Sequence, residues 1–297
     1  MSSKYLPTGI YQLESESKYN VRYKYIRNKD GSFSPYEEMY SNRYIFNPHK
    51  VEEHGRSRRL RREQWCSDLD EMYGYTSHYK SESTSKEESL SRSKRRAKSN
   101  IKDLVVSNAF ECFVTLTLND ENIDRKDYKA IIKKLNTWLD NRVRRCGLKY
   151  VGVPELHKDG AIHFHLLCND VLNTIYSGCV IRPTGGKPVK ESTATRQGFN
   201  LDECHKVYNI EDWKLGFSTM YHTYGDVMAV ANYVVKYITK NNNKVGGRWY
   251  YSGGDLCKPI VLYDRVSFND VIDYDYDFEC DGGAFKVKQY TNKCSKK

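Results

Sequence analysis

No stretch of the 297-residue sequence approaches the roughly 18 consecutive apolar residues that span a bilayer. The opening MSSKYLPTGI has no apolar core of the kind an export signal carries. Neither a membrane segment nor secretion is expected. The 9 cysteines are scattered, and no two stand as C-x-x-C. A disulfide scaffold therefore does not fit, whereas a reducing, cytoplasmic setting does. Cys112 and Cys168 lie inside apolar runs, where a reduced thiol behaves as a small hydrophobe. A complete G-x-x-x-x-G-K-[ST] phosphate loop is also missing. Lys187 follows Gly185 and Gly186, but Pro188 comes next and the first glycine is absent, so no nucleotide-driven motor is expected.

Acidic residues are the minority charge. There are 38 Asp+Glu against 48 Lys+Arg, a net +10, which favours a polyanionic partner. Tyrosine is abundant at 25 residues. Basic and aromatic groups thus interleave, as on surfaces that neutralise phosphate and stack on bases.

The first hundred residues differ from the rest. Tyr19, Val21, Tyr23 and Tyr25 alternate with polar residues up to the turn-like NKDG at 28–31, which predicts a short strand or hairpin. GRSRRLRRE at 55–63 and the charged stretch SESTSKEESLSRSKRRAKS at 81–99 follow. They read as a flexible linker passing into a basic helix that runs towards Leu104 and Val105. A solvated tail or a DNA-binding arm accounts equally for these charges.

From Phe110 the pattern becomes that of a folded domain. FECFVTLTL reads as a strand rich in β-branched and aromatic residues. Tyr128, Ile131, Ile132, Leu135, Trp138, Leu139 and Val143 recur at helical spacing until Gly147 stops them. LKYVGVPEL and AIHFHLL are strands joined by the turn HKDG. Residues 171–210 look like an insertion, WKLGFSTMYHT offers another strand, and DVMAVANYVVKYITK another helix. The expected fold is α+β, a central antiparallel sheet with flanking helices. The expected division is a basic region 1–104, a domain 105–260 and an extension 261–297.

Within AIHFHLL, His163 and His165 share one strand face while Phe164 points the other way. Such a pair can ligate one ion, or can simply be two partly exposed polar positions. Glu155 lies eight residues earlier across a tight turn, which places it opposite the histidines in a hairpin. Two imidazoles and a carboxylate leave coordination positions open, as a catalytic ion requires. Magnesium or manganese would suit an ion that also meets phosphate oxygens. His157 competes, but its parity and its place in the turn are wrong for a direct ligand.

Tyr233, Lys236, Tyr237 and Lys240 stand at i, i+3, i+4 and i+7, one stripe of a helix. Val227, Ala231, Val234 and Ile238 form a second stripe about 120° away, the one expected to pack on the sheet. The tyrosines can therefore face the ion. Tyrosine–lysine pairs also occur as amphipathic edges of a buried face. A phenol with its ordinary pKa of about 10 attacks poorly unaided. A metal-polarised phosphodiester with a lysine beside it would make such an attack feasible.

FVTLTL (113–118), HFH (163–165) and YVVKYITK (233–240), in that order, resemble the three motifs of HUH-superfamily rolling-circle replication initiators. These are the Rep endonucleases of small single-stranded DNA phages, plasmids and related elements. The spacing Glu-x7-His-x-His resembles the metal triad of that superfamily. The resemblance covers about residues 105–260 and implies a nicking and strand-transferase domain with RRM/ferredoxin-like topology. It implies Glu155, His163 and His165 as ligands of Mg2+ or Mn2+. Tyr233 and Tyr237 become nucleophile candidates, Tyr233 narrowly preferred, with Lys236 and Lys240 as their lysines. Thr115 and Thr117 support the site or touch DNA. Arg248 and Trp249, in GRWYYSGG, either contact single-stranded DNA or belong to a buried aromatic hairpin. Single-stranded origin DNA in a bacterial host cell is the implied partner, and host helicase and polymerase would supply unwinding and synthesis. A transposase or relaxase of the superfamily, or a non-catalytic RRM-like nucleic-acid-binding protein, are the alternatives.

Overall fold

Local pattern sets the elements and non-local pairing assembles them. The structure, a computed structural model, describes residues 18–28, 30–46, 86–157, 160–183, 185–223, 227–240, 244–267, 276–280 and 284–290. Along these the chain forms β1 (Lys18–Arg27), β2 (Phe33–Phe46), α1 (Lys86–Ser107), β3 (Cys112–Thr117), α2 (Tyr128–Cys146) and β4 (Tyr150–Leu156). There follow β5 (Ile162–Cys168), β6 (Thr174–Ile181), β7 (Val189–Lys190), α3 (Glu191–Arg196), β8 (His205–Ile210) and β9 (Ser218–His222). The last are α4 (Val227–Lys240), β10 (Tyr251–Gly253), β11 (Ile260–Asp264), β12 (Phe278–Cys280) and β13 (Phe285–Gln289). The class is α+β, as the pattern predicts. The arginine run 55–63 and the start of the charged stretch, 81–85, lie outside the described residues.

The chain divides into two units, Met1–Ser89 with Pro259–Thr291, and Leu90–Lys258 with Asn292–Lys297. In the first, strands from both ends of the sequence share an antiparallel sheet in the order β11-β1-β2-β13-β12. Lys24 is buried there and lies 3.2 Å from Glu37. Burial pushes the Glu37 carboxyl up, but Lys24 and Arg22 outweigh it and hold the group below its ordinary value.

The second unit carries an eight-stranded sheet, β10-β4-β5-β3-β9-β8-β6-β7. Residues 171–210, expected as an insertion, contribute β6 to β8 to its edge. Helix α2 starts on Asp127, whose side chain accepts from the Ala130 backbone N–H, and stops on Gly147 at φ 69°. It buries Ile131, Leu135 and Leu139 against Val114, Leu116, Phe164 and Leu166 on one face of the sheet. The opposite face packs Phe113, Val151, Val153 and Leu167 against two helices. Ala97, Ile101, Leu104 and Val105 come from α1, and Ala231, Val234 and Ile238 come from α4. Strand alternation thus sorts neighbouring residues into two cores. The odd residues of β5 face α4.

The loop entering β9 passes close over the end of β3. The Trp213 indole and the Thr117 backbone N–H make hydrogen bonds of 3.1 Å to the Thr117 carbonyl and 2.8 Å to the Phe217 carbonyl respectively. A Cβ on Gly216 would stand 2.3 Å from the Thr117 carbonyl oxygen and 2.7 Å from the Asn119 nitrogen. Both obstacles are backbone and cannot swing away. Gly216→Ala is expected to cost about 1–3 kcal/mol or more in stability, read as a lowered urea midpoint at unchanged slope.

Candidate active site

Three strands and one helix bring the sequence candidates together. In the β4–β5 pairing Glu155 stands across from His163 and Val153 from His165. In the β3–β5 pairing Thr117 stands across from His163 and Thr115 from His165. Directly paired residues point to the same face. Glu155, His163, His165, Thr115 and Thr117 therefore share the face that α4 covers.

His165 is 6% exposed, and both of its ring nitrogens are addressed. Its Nε2 lies 2.7 Å from Glu155 Oε2, and its Nδ1 lies 3.2 Å from the Thr115 hydroxyl. A hydroxyl at Nδ1 fixes the ring so that Nε2 points at the carboxylate, the arrangement by which an outer partner orients a ligating imidazole. The His163 ring lies 3.9 Å, centroid to centroid, from that of His157. His157, expected at most as an outer contact, is thus a direct neighbour of the second candidate imidazole.

Helix α4 carries the tyrosines onto this cluster. The Tyr237 ring stacks on His165 at 3.8 Å with an interplanar angle of 19°. The Tyr237 hydroxyl donates to the Tyr233 hydroxyl at 2.8 Å, and the Tyr233 ring meets Phe113 edge-on at 5.4 Å. The two phenols differ in access. Tyr233 is 46% exposed and Tyr237 8%. Lys236 is exposed, while the Lys240 side chain lies outside what is described. Burial, and then the hydrogen bond to Tyr233, push the Tyr237 hydroxyl well above its ordinary 10.0.

A pH signature follows from that rise. A folded-state pKa above the unfolded one adds stability that is complete below about pH 10 and lost as pH climbs towards the shifted value. Urea unfolding at increasing alkaline pH should show stability falling with pH. Tyr237→Phe should flatten that decline.

Arg248 is exposed, while Trp249 is 5% exposed, packs among α1 and α4 residues, and donates its indole N–H to Ser93 at 3.1 Å. Of the two arrangements open for GRWYYSGG, the indole has the buried one. Arg96, Lys244 and Arg248 nevertheless line a polar cavity of about 430 Å3 beside it.

A second cluster has no signature in the sequence. Among the described residues, Cys112, Asp170 and His222 offer donor atoms that all lie within 4.8 Å of one another. His222 Nε2 is 2.9 Å from Asp170 Oδ2. Such a thiol, imidazole and carboxylate set could hold a divalent ion. Cys112 pairs with both Cys168 and His222, so this trio lies on the α2 face. It stands at the start of β3, five residues from Thr117, about 16 Å along the strand. Neither tyrosine of α4 shares that face.

Residues 111–242 match a family model described as replication-associated protein, of the ORF2 type. The matched region opens just ahead of β3 and closes just past α4. It holds Glu155, both histidines of β5 and both tyrosines, as well as Cys112, Asp170 and His222. No curated protein and no solved structure matches the chain. No helix among the described residues is long and apolar enough to cross a membrane.

Proposed function

We propose that the protein initiates rolling-circle DNA replication by nicking one strand at an origin and holding the new 5′ end on tyrosine. The observation that carries this reading is the continuous line Glu155–His165–Tyr237–Tyr233, with contacts of 2.7 Å, a ring stack at 3.8 Å and 2.8 Å. It puts a phenol next to a nitrogen–oxygen donor set within the region that matches replication-associated proteins.

Glu155, His165 and His163 suit Mg2+ or Mn2+ in donor chemistry. One carboxylate and two imidazoles share a face, and Thr115 already orients one ring. When bound, the ion would polarise the phosphodiester. The remaining work belongs to the chain. The Tyr233 oxygen attacks the scissile phosphorus, and the bond from phosphorus to the 3′ oxygen breaks. The phenol loses its proton as the leaving 3′ oxygen gains one, so no co-reactant is consumed. Tyr237 donates a hydrogen bond to the Tyr233 oxygen, offsetting charge that develops there. Exposed Lys236 lies one turn away to meet phosphate. Attack by a 3′ hydroxyl on the phosphotyrosine reverses the step and rejoins a strand. Arg96, Lys244 and Arg248 offer cations for the DNA backbone at the cavity beside α1.

Full-length protein incubated with labelled single-stranded oligonucleotides tiling the replicon that carries its gene, with Mn2+, should give a denaturant-resistant adduct on one sequence. Absence of an adduct over the whole tiling would overturn the reading. DNA binding without cleavage would instead mark a non-catalytic binding protein.

A further inference from the structure

We propose that Phe217 is a base-stacking platform for the single-stranded DNA, set on the same rung of the sheet as the candidate metal ligands. The inference rests on the nicking reading for the identity of the strand.

The rung is built from three pairings. Glu155 faces His163 across β4–β5, and His163 faces Thr117 across β5–β3. The β3–β9 register pairs Leu116 with Ser218, and the hydrogen bond from the Thr117 N–H to the Phe217 carbonyl extends that pairing by one residue. Glu155, His163, Thr117 and Phe217 thus form one transverse row. Alternation in β9 agrees. Ser218 and Met220 are buried towards α2, so Phe217, Thr219 and Tyr221 point to the face of the tyrosines. Phe217 stands two strand spacings from His163, about 10 Å. That is on the order of three nucleotides of a stacked strand, and fewer of an extended one.

Phe217 is 73% exposed, more than any other large hydrophobic residue among those described. A single exposed phenylalanine is ordinary on a protein surface, and exposure alone would carry nothing. Its mounting is what argues for use. The backbone on both sides is fixed: Thr117 N–H donates to the Phe217 carbonyl, Asn119 N–H donates to the Leu215 carbonyl at 2.9 Å, and Gly216 is pressed against β3. A ring held out on rigid backbone loses little conformational freedom on binding. Lys214, exposed three residues earlier, supplies a cation for the adjoining phosphates. Stacking on such a ring tolerates any base, because every base has a π-face. A strand entering the site would then be held by a base on Phe217 while its phosphate reaches Tyr233.

The test uses binding rather than cleavage. Fluorescence anisotropy of labelled oligo-dT with the full-length protein should show affinity falling roughly 10-fold in Phe217→Ala and retained in Phe217→Tyr. A fully abasic oligonucleotide of the same length should bind wild type and Phe217→Ala alike, because it has backbone charge and no bases. Since the ring is exposed, Phe217→Ala should keep the wild-type unfolding midpoint. Equal oligo-dT affinity for wild type and Phe217→Ala would overturn the proposal, as would an equal loss on the abasic strand. Failure of the nicking reading appears elsewhere, as absence of adduct from the wild type, and leaves this comparison intact.

Discussion

Tyr233→Phe is expected to abolish covalent capture of DNA, lowering adduct formation by on the order of 10³-fold or more, while Tyr237→Phe lowers it only about 10-fold. The asymmetry comes from the environments of two phenols one helical turn apart. Tyr233 is 46% exposed and accepts the hydrogen bond from Tyr237. Its oxygen is reachable, and a donor already points at it. Tyr237 is buried against the His165 ring, and burial lifts its hydroxyl well above 10.0, so its phenolate is costly to form. Phenylalanine at 237 keeps the stack and deletes only the donor. Phenylalanine at 233 deletes the nucleophile. Quantifying adduct on a denaturing gel for the two single variants and the double decides the matter. Equal losses in both singles would instead mean that the tyrosines act in succession, each attacking once.

How far the sequence reached depends on how local each signal is. The stripe Ala231, Val234, Ile238 is fully buried, and Tyr233 on the neighbouring stripe is exposed, as 100° per residue dictates. The α2 stripe with its glycine stop and the Glu155–His163 pairing were legible for the same reason. Each is set by residues within a turn or a hairpin of one another. Residues 171–210 were less legible. β6 carries a register shift between Tyr176 and Cys179, which breaks the alternation that marks a strand. The pairing of β1 with β11 joins residues at opposite ends of the sequence, and no local pattern encodes it. Asp170 and His222 are 52 residues apart, so no spacing motif announces them. Phe217 looked like any strand aromatic, and aromatic strand residues are usually core. Only the register across three strands shows that its ring is outside and on the rung of His163.

Loss of the metal should rank with loss of the nucleophile. EDTA is expected to abolish adduct formation and Mn2+ to restore it. Glu155→Gln and His163→Ala should each lower the rate by on the order of 10²-fold or more. Binding of single-stranded DNA, carried by basic and aromatic groups elsewhere, should change far less in both variants. Glu155→Gln keeps the side-chain volume and an acceptor for His165 Nε2, 2.7 Å away, so a drop in activity with an unchanged unfolding midpoint reports the lost charge and not a lost fold. Cys112→Ser and His222→Ala supply the opposing control. That trio is compatible with a divalent ion, but it faces α2 and stands about 16 Å along β3 from the Thr117 rung. An ion there could brace the strand ends. It could not reach a phosphate held at Tyr233. Both variants should therefore keep the Mn2+ dependence of the wild type. If instead they lost it while Glu155→Gln kept it, the chemistry would have to be moved to the other face of the sheet, away from both tyrosines.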